Sequence, residues 1–239
     1  LGGGTPTQLP PRLLAQLLEG LQRHFRIAAD AEITIESAPG TLPADKLALL
    51  KGLGVNRLSY GIQTLDEKLL AGLNRNYTVA GAKEELRNAV RIIGNVNIDT
   101  MYGFEGESGH ALLDTLREFV TLGVPCVSIY ALDGQRCNSD RAKDMPARDA
   151  QYDRKIEIYR AARDYLAGNG FRPVLQNIFL QPERASYKHQ LRRWENLPLV
   201  ALGISSTGYA PRRLYHNQLG IKVGAEKLDR GELPVMEWE

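Results

Sequence analysis

Short β-branched runs alternate with stretches of helical periodicity along this chain, and that alternation admits few folds. The runs are Glu32 to Glu36, Val55 to Ile62, Val96 to Met101, Pro125 to Leu132 and Pro173 to Phe179. Between and before them, Leu9 to Phe25, Ala44 to Gly52, Leu65 to Leu73, Val79 to Ile93, Ala111 to Leu122 and Ala150 to Ala167 carry apolar residues at three- and four-residue spacing. Strands that alternate with helices pair in parallel and take the helices on their faces. The expected fold is therefore α/β, a partial (β/α) barrel over residues 1–181 with a C-terminal extension over 182–239. Barrels of this kind gather functional residues at the C-terminal ends of their strands.

Composition narrows the function classes. With 43% hydrophobic and 24% charged residues, the 239-residue chain can bury a core of its own. A net charge of +2 gives no concentrated basic face, so neither nucleic acid nor a membrane surface is an expected partner. No apolar run approaches the roughly 18 residues of a spanning helix, and the first residues lack a secretory pattern, so a cytoplasmic setting is expected. Cys126 and Cys137 form no disulfide framework and have no close metal-ligand spacing. Leu1 enters a glycine run with no strand before it, and Pro234 to Glu239 stop without a cap or turn, which reads as a fragment.

Chemistry-bearing residues recur at the strand ends. Gly2-Gly3-Gly4-Thr5-Pro6-Thr7 precedes the first helix; consecutive glycines let a ligand approach the main chain, while the alternative is a turn in which Thr7 caps that helix. Glu36 closes the next run and offers a carboxylate to a ribose or an ammonium group, unless it is a solvated turn residue. Asn56 to Gln63 (NRLSYGIQ) ends on Gln63, both donor and acceptor, and the helix after it leads to Arg75, whose fork suits a carboxylate. Asp99 stands inside an apolar strand, where an unpaired charge is costly.

Taken in order, these elements resemble one family, the radical S-adenosylmethionine (SAM) proteins that include oxygen-independent coproporphyrinogen III oxidase and the heme chaperones. GGGTPT, E-x-x-P-G, N-R-x-S-x-G-x-Q, L-x-R and D-x-x-Y-G match through Gly103, and Leu202 to Gly208 with Tyr215-His216-Asn217 resemble a later glycine-rich strand and its Y-x-N element. The resemblance implies a partial barrel of the radical SAM type with SAM across its strand ends. Gly3 and Glu36 match positions that contact this cofactor. Gly4, Thr5, Gln63, Arg75 and Asp99 match positions that contact a second SAM in the coproporphyrinogen enzyme. It further implies a 4Fe-4S cluster that cleaves SAM to a 5′-deoxyadenosyl radical, an electron-donor protein, and a tetrapyrrole substrate or heme.

Three departures from the family qualify this. The C-x-x-x-C-x-x-C cluster motif that precedes the glycine run is absent, so the cluster would depend on cysteines missing from this chain. Gly103-Phe104-Glu105-Gly106-Glu107-Ser108 replaces G-L-P-x-Q-[ST], and loss of the proline is expected to loosen that loop. Leu175-Gln176-Asn177-Ile178-Phe179 replaces a G-M-D-H element of the coproporphyrinogen enzyme.

His24, His110, His189 and His216 show no ligand spacing and are expected to be structural or surface residues, with no metal site. The basic stretch Arg184 to Arg193, with Tyr187 and Trp194, reads as a solvated helical face rather than a grip for propionates, and Arg212 and Arg213 are treated likewise. The resulting expectation is a radical SAM oxidoreductase of coproporphyrinogen-oxidase type; a heme chaperone and a radical SAM methyltransferase are the alternatives. Because a cluster needs thiolate ligands, the 239 residues by themselves are expected to be inactive. Reconstitution with iron and sulfide should give no cluster absorption in the visible, and a stoichiometric, stable cluster would contradict this.

Overall fold

In the computed structural model, the first four predicted strand regions pair side by side in chain order. The structure describes all residues except 74, 76, 105, 133–144, 211, 212 and 239, and the side chains of 145–150. After α1 (Pro11–His24) come β1 (Thr34–Ser37), α2 (Ala44–Gly52), β2 (Arg57–Gly61), α3 (Glu67–Ala71), α4 (Val79–Ile92), β3 (Asn95–Tyr102), α5 (Ala111–Thr121) and β4 (Cys126–Ala131). β1 to β4 are all parallel, with Glu36 opposite Ser59, Gly61 opposite Asp99, and Asp99 opposite Ser128. The helices start where side chains can take up free backbone N–H groups. Asp66 accepts from Lys68 N and Leu69 N at 2.8 and 3.2 Å, and Thr78 accepts from Gly81 N at 3.1 Å.

Side chains alternate across a strand, so this register gives the sheet two unlike faces. One carries Ile35, Leu58, Tyr60, Val96, Ile98, Val127 and Ile129, all fully or almost fully buried. They join one core cluster with Leu47 and Leu50 of α2, Leu86 of α4, and Leu116 and Phe119 of α5. The other face carries Glu36, Arg57, Ser59, Asn95, Asn97, Asp99, Cys126 and Ser128, nearly all of them polar.

The fifth predicted strand is corrected by the structure. After α6 (Met145–Gly168), Pro173 to Phe179 does not form one parallel strand; it folds into the hairpin β5 (Arg172–Leu175) and β6 (Ile178–Leu180). β6 pairs antiparallel with β4, giving the order β1-β2-β3-β4-β6-β5. The reversal falls at Gln176-Asn177 and is held from both sides. Ile129 N donates to Asn177 O at 2.8 Å, and Tyr159 Oη donates to Gln176 O at 2.6 Å.

The chain forms two compact units, Leu1–Ser186 and Tyr187–Glu239. The first extends past the expected boundary at 182, because Arg184 donates to Gly123 O at 2.7 Å and Ser186 O accepts from Arg57 Nε at 3.2 Å. The second contains α7 (Lys188–Trp194), β7 (Thr207–Ala210), β8 (Arg213–Asn217), α8 (Ile221–Asp229) and β9 (Val235–Trp238), with its strands in one antiparallel sheet. Asn217 Nδ2 donates to Ala201 O, Gly203 O and Ser206 Oγ at 3.0–3.1 Å, and Ala201 N donates to Tyr215 Oη at 2.8 Å. The Tyr215 ring occupies the space that a side chain at Gly208 would need. The glycine-rich segment and the Tyr-His-Asn element thus form one structural unit. Among the described residues, no helix is long and apolar enough to cross a membrane.

Phe119 fills the core between α5 and the sheet at 0% exposure, whereas Leu17 on α1 is 41% exposed. Phe119→Ala should cost about 3 to 5 kcal/mol of stability and Leu17→Ala less than about 1 kcal/mol, read from denaturant unfolding midpoints. Equal effects would mean that the core is not where the sheet places it.

Candidate functional site

The glycine run is brought to Glu36 by main-chain pairing. Leu1 N donates to Thr34 O at 2.7 Å and Glu36 N donates to Leu1 O at 2.9 Å, so Leu1 lies along β1 as a parallel neighbour would. This sets Gly2 and Gly3 against the Glu36 carboxylate. Gly3 N donates to Glu36 Oε2 at 3.2 Å, and a Cβ on Gly2 would fall 2.7 Å from the carboxyl carbon. Gly3, at φ +93°, uses a conformation that favours glycine, and side-chain positions at Gly3 and Gly4 face open space. Thr5 leads into a short 3₁₀ turn, Pro6–Gln8. Thr7 does not cap α1: it is fully buried, and its hydroxyl meets that of Thr41 at 2.7 Å. Pro10 precedes α1 with no side-chain cap. Thr7 ties the glycine run to the loop after β1, where Thr41 Oγ1 donates to Ala38 O at 2.6 Å.

Asp99 is held by a hydrogen-bond network across three strands. Ser59 Oγ donates to Asp99 Oδ2 at 2.8 Å, and Asn97 Nδ2 donates to Asp99 Oδ1 at 3.0 Å and to Ser59 Oγ at 3.1 Å. Asn97 Oδ1 accepts from Ser128 Oγ at 3.0 Å and from Cys126 Sγ at 3.1 Å. Burial pushes the Asp99 carboxyl above its ordinary range; hydrogen bonds from Ser59, Asn97 and Ser128 and the nearby Arg57 charge offset this only in part. Arg57 itself is 3% exposed and lies lower on the same face.

Gln63 lies just past the end of β2, beside the residues that follow Asp99. Its carbonyl accepts from Thr100 Oγ1 and Met101 N, both at 2.8 Å, and its side-chain nitrogen lies 3.3 Å from the position of a Cβ on Gly61. Gly61 is the register partner of Asp99, and Ser59, which bonds Asp99, is the register partner of Glu36. The structure therefore brings Gly3, Glu36, Gln63 and Asp99 to one stretch of rim, with Gly4 and Thr5 following Gly3 in the chain. Arg75 stands exposed in the connection between α3 and α4, where its charge acts on the Tyr77 phenol, a neighbour of the Gln63 main chain.

Asn97, Ser128 and Arg57 belong to this arrangement but were not singled out as candidates from the sequence. The signal was available: Arg57, Ser59 and Gly61, then Asn95, Asn97 and Asp99, place a non-apolar residue at every second position of otherwise apolar strands. The loop expected to be loose is also tied down. Glu107, 3% exposed, accepts from Gly103 N and from Phe104 N, the latter at 3.0 Å, so its carboxylate closes the turn without a proline.

The rim suits a cationic, hydroxyl-bearing ligand such as SAM, because two carboxylates and open glycine backbone face it. The same residues do not suit an iron–sulfur cluster. Among the described residues, no group of three or more His, Cys, Asp or Glu could hold a metal. Cys126 is buried, and burial pushes its thiol up to about 12, so it is not a thiolate; Cys137 lies outside the described residues.

Comparison with known proteins agrees with the fold. Residues 1–119 match the family model of the radical SAM superfamily. The chain is 30% identical to the heme chaperone HemW of Escherichia coli over 87% of its own length and 54% of the relative's. It is 27% identical to the oxygen-independent coproporphyrinogen III oxidase of Bradyrhizobium diazoefficiens over 97% of its length and 54% of that protein's. The chain thus spans about half the length of these curated relatives. In fold it superposes on coproporphyrinogen III oxidase (HemN) of E. coli with a TM-score of 0.80 at 22% identity, covering all of this chain and 58% of that one. Residues 1–119, which include the first three strands of the parallel sheet, form a radical SAM domain, and HemW and HemN are among the chain's homologues.

Proposed function

We propose that the rim formed by Gly3, Gly4, Thr5, Glu36, Gln63 and Asp99 binds SAM, and that the protein handles heme in the manner of a heme chaperone. The observation that carries the first half is the network that fixes Asp99 at the cost of its own solvation. Glu36 presents a carboxylate to a ribose or an ammonium group, Gly3 and Gly4 leave space for close approach, and Gln63 can donate and accept beside Asp99. Arg75, beside Tyr77 in the loop after α3, can add a guanidinium for the ligand's carboxylate. The bound cofactor, with its cluster, supplies hydrogen-abstracting chemistry; this chain's residues bind and orient it.

The heme-handling half rests on the hairpin. Where the coproporphyrinogen enzyme is expected to carry G-M-D-H, Leu175 to Phe179 hold neither an acid nor a histidine, and Gln176-Asn177 form a turn whose amides do not titrate near neutrality. That favours a chaperone over the decarboxylating oxidase, in line with the similarity to HemW. In the full-length protein, hemin should bind stoichiometrically in an absorbance titration. Coproporphyrinogen III with SAM and reductant should yield no protoporphyrinogen; turnover would restore the oxidase reading.

Asp99 offers a separate test of the SAM site. Its folded-state pKa is raised, so its ionised form is disfavoured by folding: this penalty is absent at low pH and grows as pH rises through the folded value. Asp99→Asn should therefore leave stability at pH 7 unchanged or higher, with any gain shrinking on acidification as the parent carboxyl takes up its own proton. SAM binding by calorimetry should weaken by about 1 to 3 kcal/mol, as for a lost hydrogen bond to a charged group. A large loss of stability with unchanged SAM affinity would make Asp99 a structural residue.

A further inference from the structure

β4 is longer than its partner in the hairpin. Pairing with β6 ends at Ser128, and beyond it the end of β4, α6 and the Gln176-Asn177 turn enclose a cleft of about 410 Å³. Four tyrosines line it: Tyr102, Tyr130, Tyr152 and Tyr159, together with Lys155. Two of them are fixed. Tyr102 is 7% exposed, and Tyr159 is held by its hydrogen bond to Gln176 O and packs at 6.4 Å from the Phe179 ring centroid. Tyr152, at 71% exposure, offers ring surface to solvent, and Tyr130 is 40% exposed.

Lys155 is also positioned. Its Nζ donates to Leu132 O at 2.7 Å, which uses one of three protons, and its stem lies against Gly103 so closely that a Cβ there would sit 2.7 Å from Cε. The ammonium is thus held at the cleft with donors to spare. A cleft of this size falls in the range of about 300 to 1,000 Å³ typical of small-molecule sites. Open aromatic faces select a planar ligand, and a fixed ammonium without a carboxylate among the described lining residues selects an anionic one.

The cleft adjoins the cofactor rim. Tyr130 is the register partner of Met101, two residues beyond the pair Asp99 and Ser128, and therefore rises from the face that carries Asp99. We infer that this cleft takes one edge of a carboxylated tetrapyrrole, with Tyr130 and Tyr152 against the macrocycle and Lys155 on a propionate. The assignment rests on the heme-handling reading above and gives that reading a location in this chain.

Hemin titration of the full-length protein, followed by absorbance, tests it with Tyr152→Ala, Lys155→Met and the control Tyr152→Phe. Tyr152→Ala and Lys155→Met should each weaken hemin binding on the order of tenfold, the scale of one aromatic or charge-assisted contact, while Tyr152→Phe keeps the ring and binds as the parent does. SAM affinity should be unchanged in all three. Tyr152 is largely exposed, so its variants keep the test valid even if Lys155→Met disturbs the packing on Gly103. Hemin bound equally by the parent, Tyr152→Ala and Lys155→Met would overturn the cleft and leave the heme-handling reading standing. No hemin bound by the parent would overturn that reading and the cleft with it.

Discussion

Asn97 makes the polar interior of this sheet possible. An aspartate inside a strand, largely removed from water, is tolerated only if its oxygens find donors, because a buried unpaired charge costs several kcal/mol or neutralises instead. Asn97 donates to Asp99 and to Ser59, and accepts from Ser128 and Cys126, so one amide joins β2, β3 and β4. Partly satisfied networks of this kind are costly, and fully satisfied ones specify a single arrangement. The two carboxylates of the rim therefore have unequal support. Asp99 is fixed from below by side chains, whereas Glu36 is met by the backbone of a glycine run that could not approach if Gly2 carried a Cβ.

The sheet divides its labour by face. Its helix-facing side supplies the cohesion, with Ile35, Leu58, Val96, Ile98 and Val127 packed under α2, α4 and α5. Its opposite side carries the polar network, where burial disfavours the charged form of Asp99. Such a division explains how a site can be electrostatically strained while the strands that hold it stay in register.

Much of this was legible in the sequence. β-branched runs between amphipathic segments located β1 to β4 to within two residues at either end, and α2 ran from Ala44 to Gly52 as the periodicity predicts. The hairpin was not legible, since Pro173 to Phe179 reads as one strand and only Gln176-Asn177, a modest turn signal, breaks it. Thr7 looked like a helix cap because local spacing cannot show that Thr41 lies 2.7 Å away. Glu107 was not legible for a different reason: its spacing is local, but nothing in the sequence says that its carboxylate folds back onto Gly103 N and Phe104 N in place of a proline's rigidity. Glu36, Gln63 and Asp99 met on the rim because parallel strands in sequential order align their ends. Arg75 lies in a short loop between helices, where neither strand nor helix periodicity fixes a long side chain.

The order of the strands bears on how the chain is assembled during synthesis. β1, β2, β3 and β4 are neighbours in the sequence in which they emerge from a ribosome, so each new strand and helix can dock on the one before it, through contacts of modest sequence separation. The lower end of the polar face is closed differently. There Arg57 and Asn95 bond to Ser186, which follows Arg57 by 129 residues, and Ser186 Oγ in turn donates to Glu32. The nascent sheet must carry a buried-to-be arginine at its open base until most of the first unit has been made, and Ser186 is the latch that arrives last.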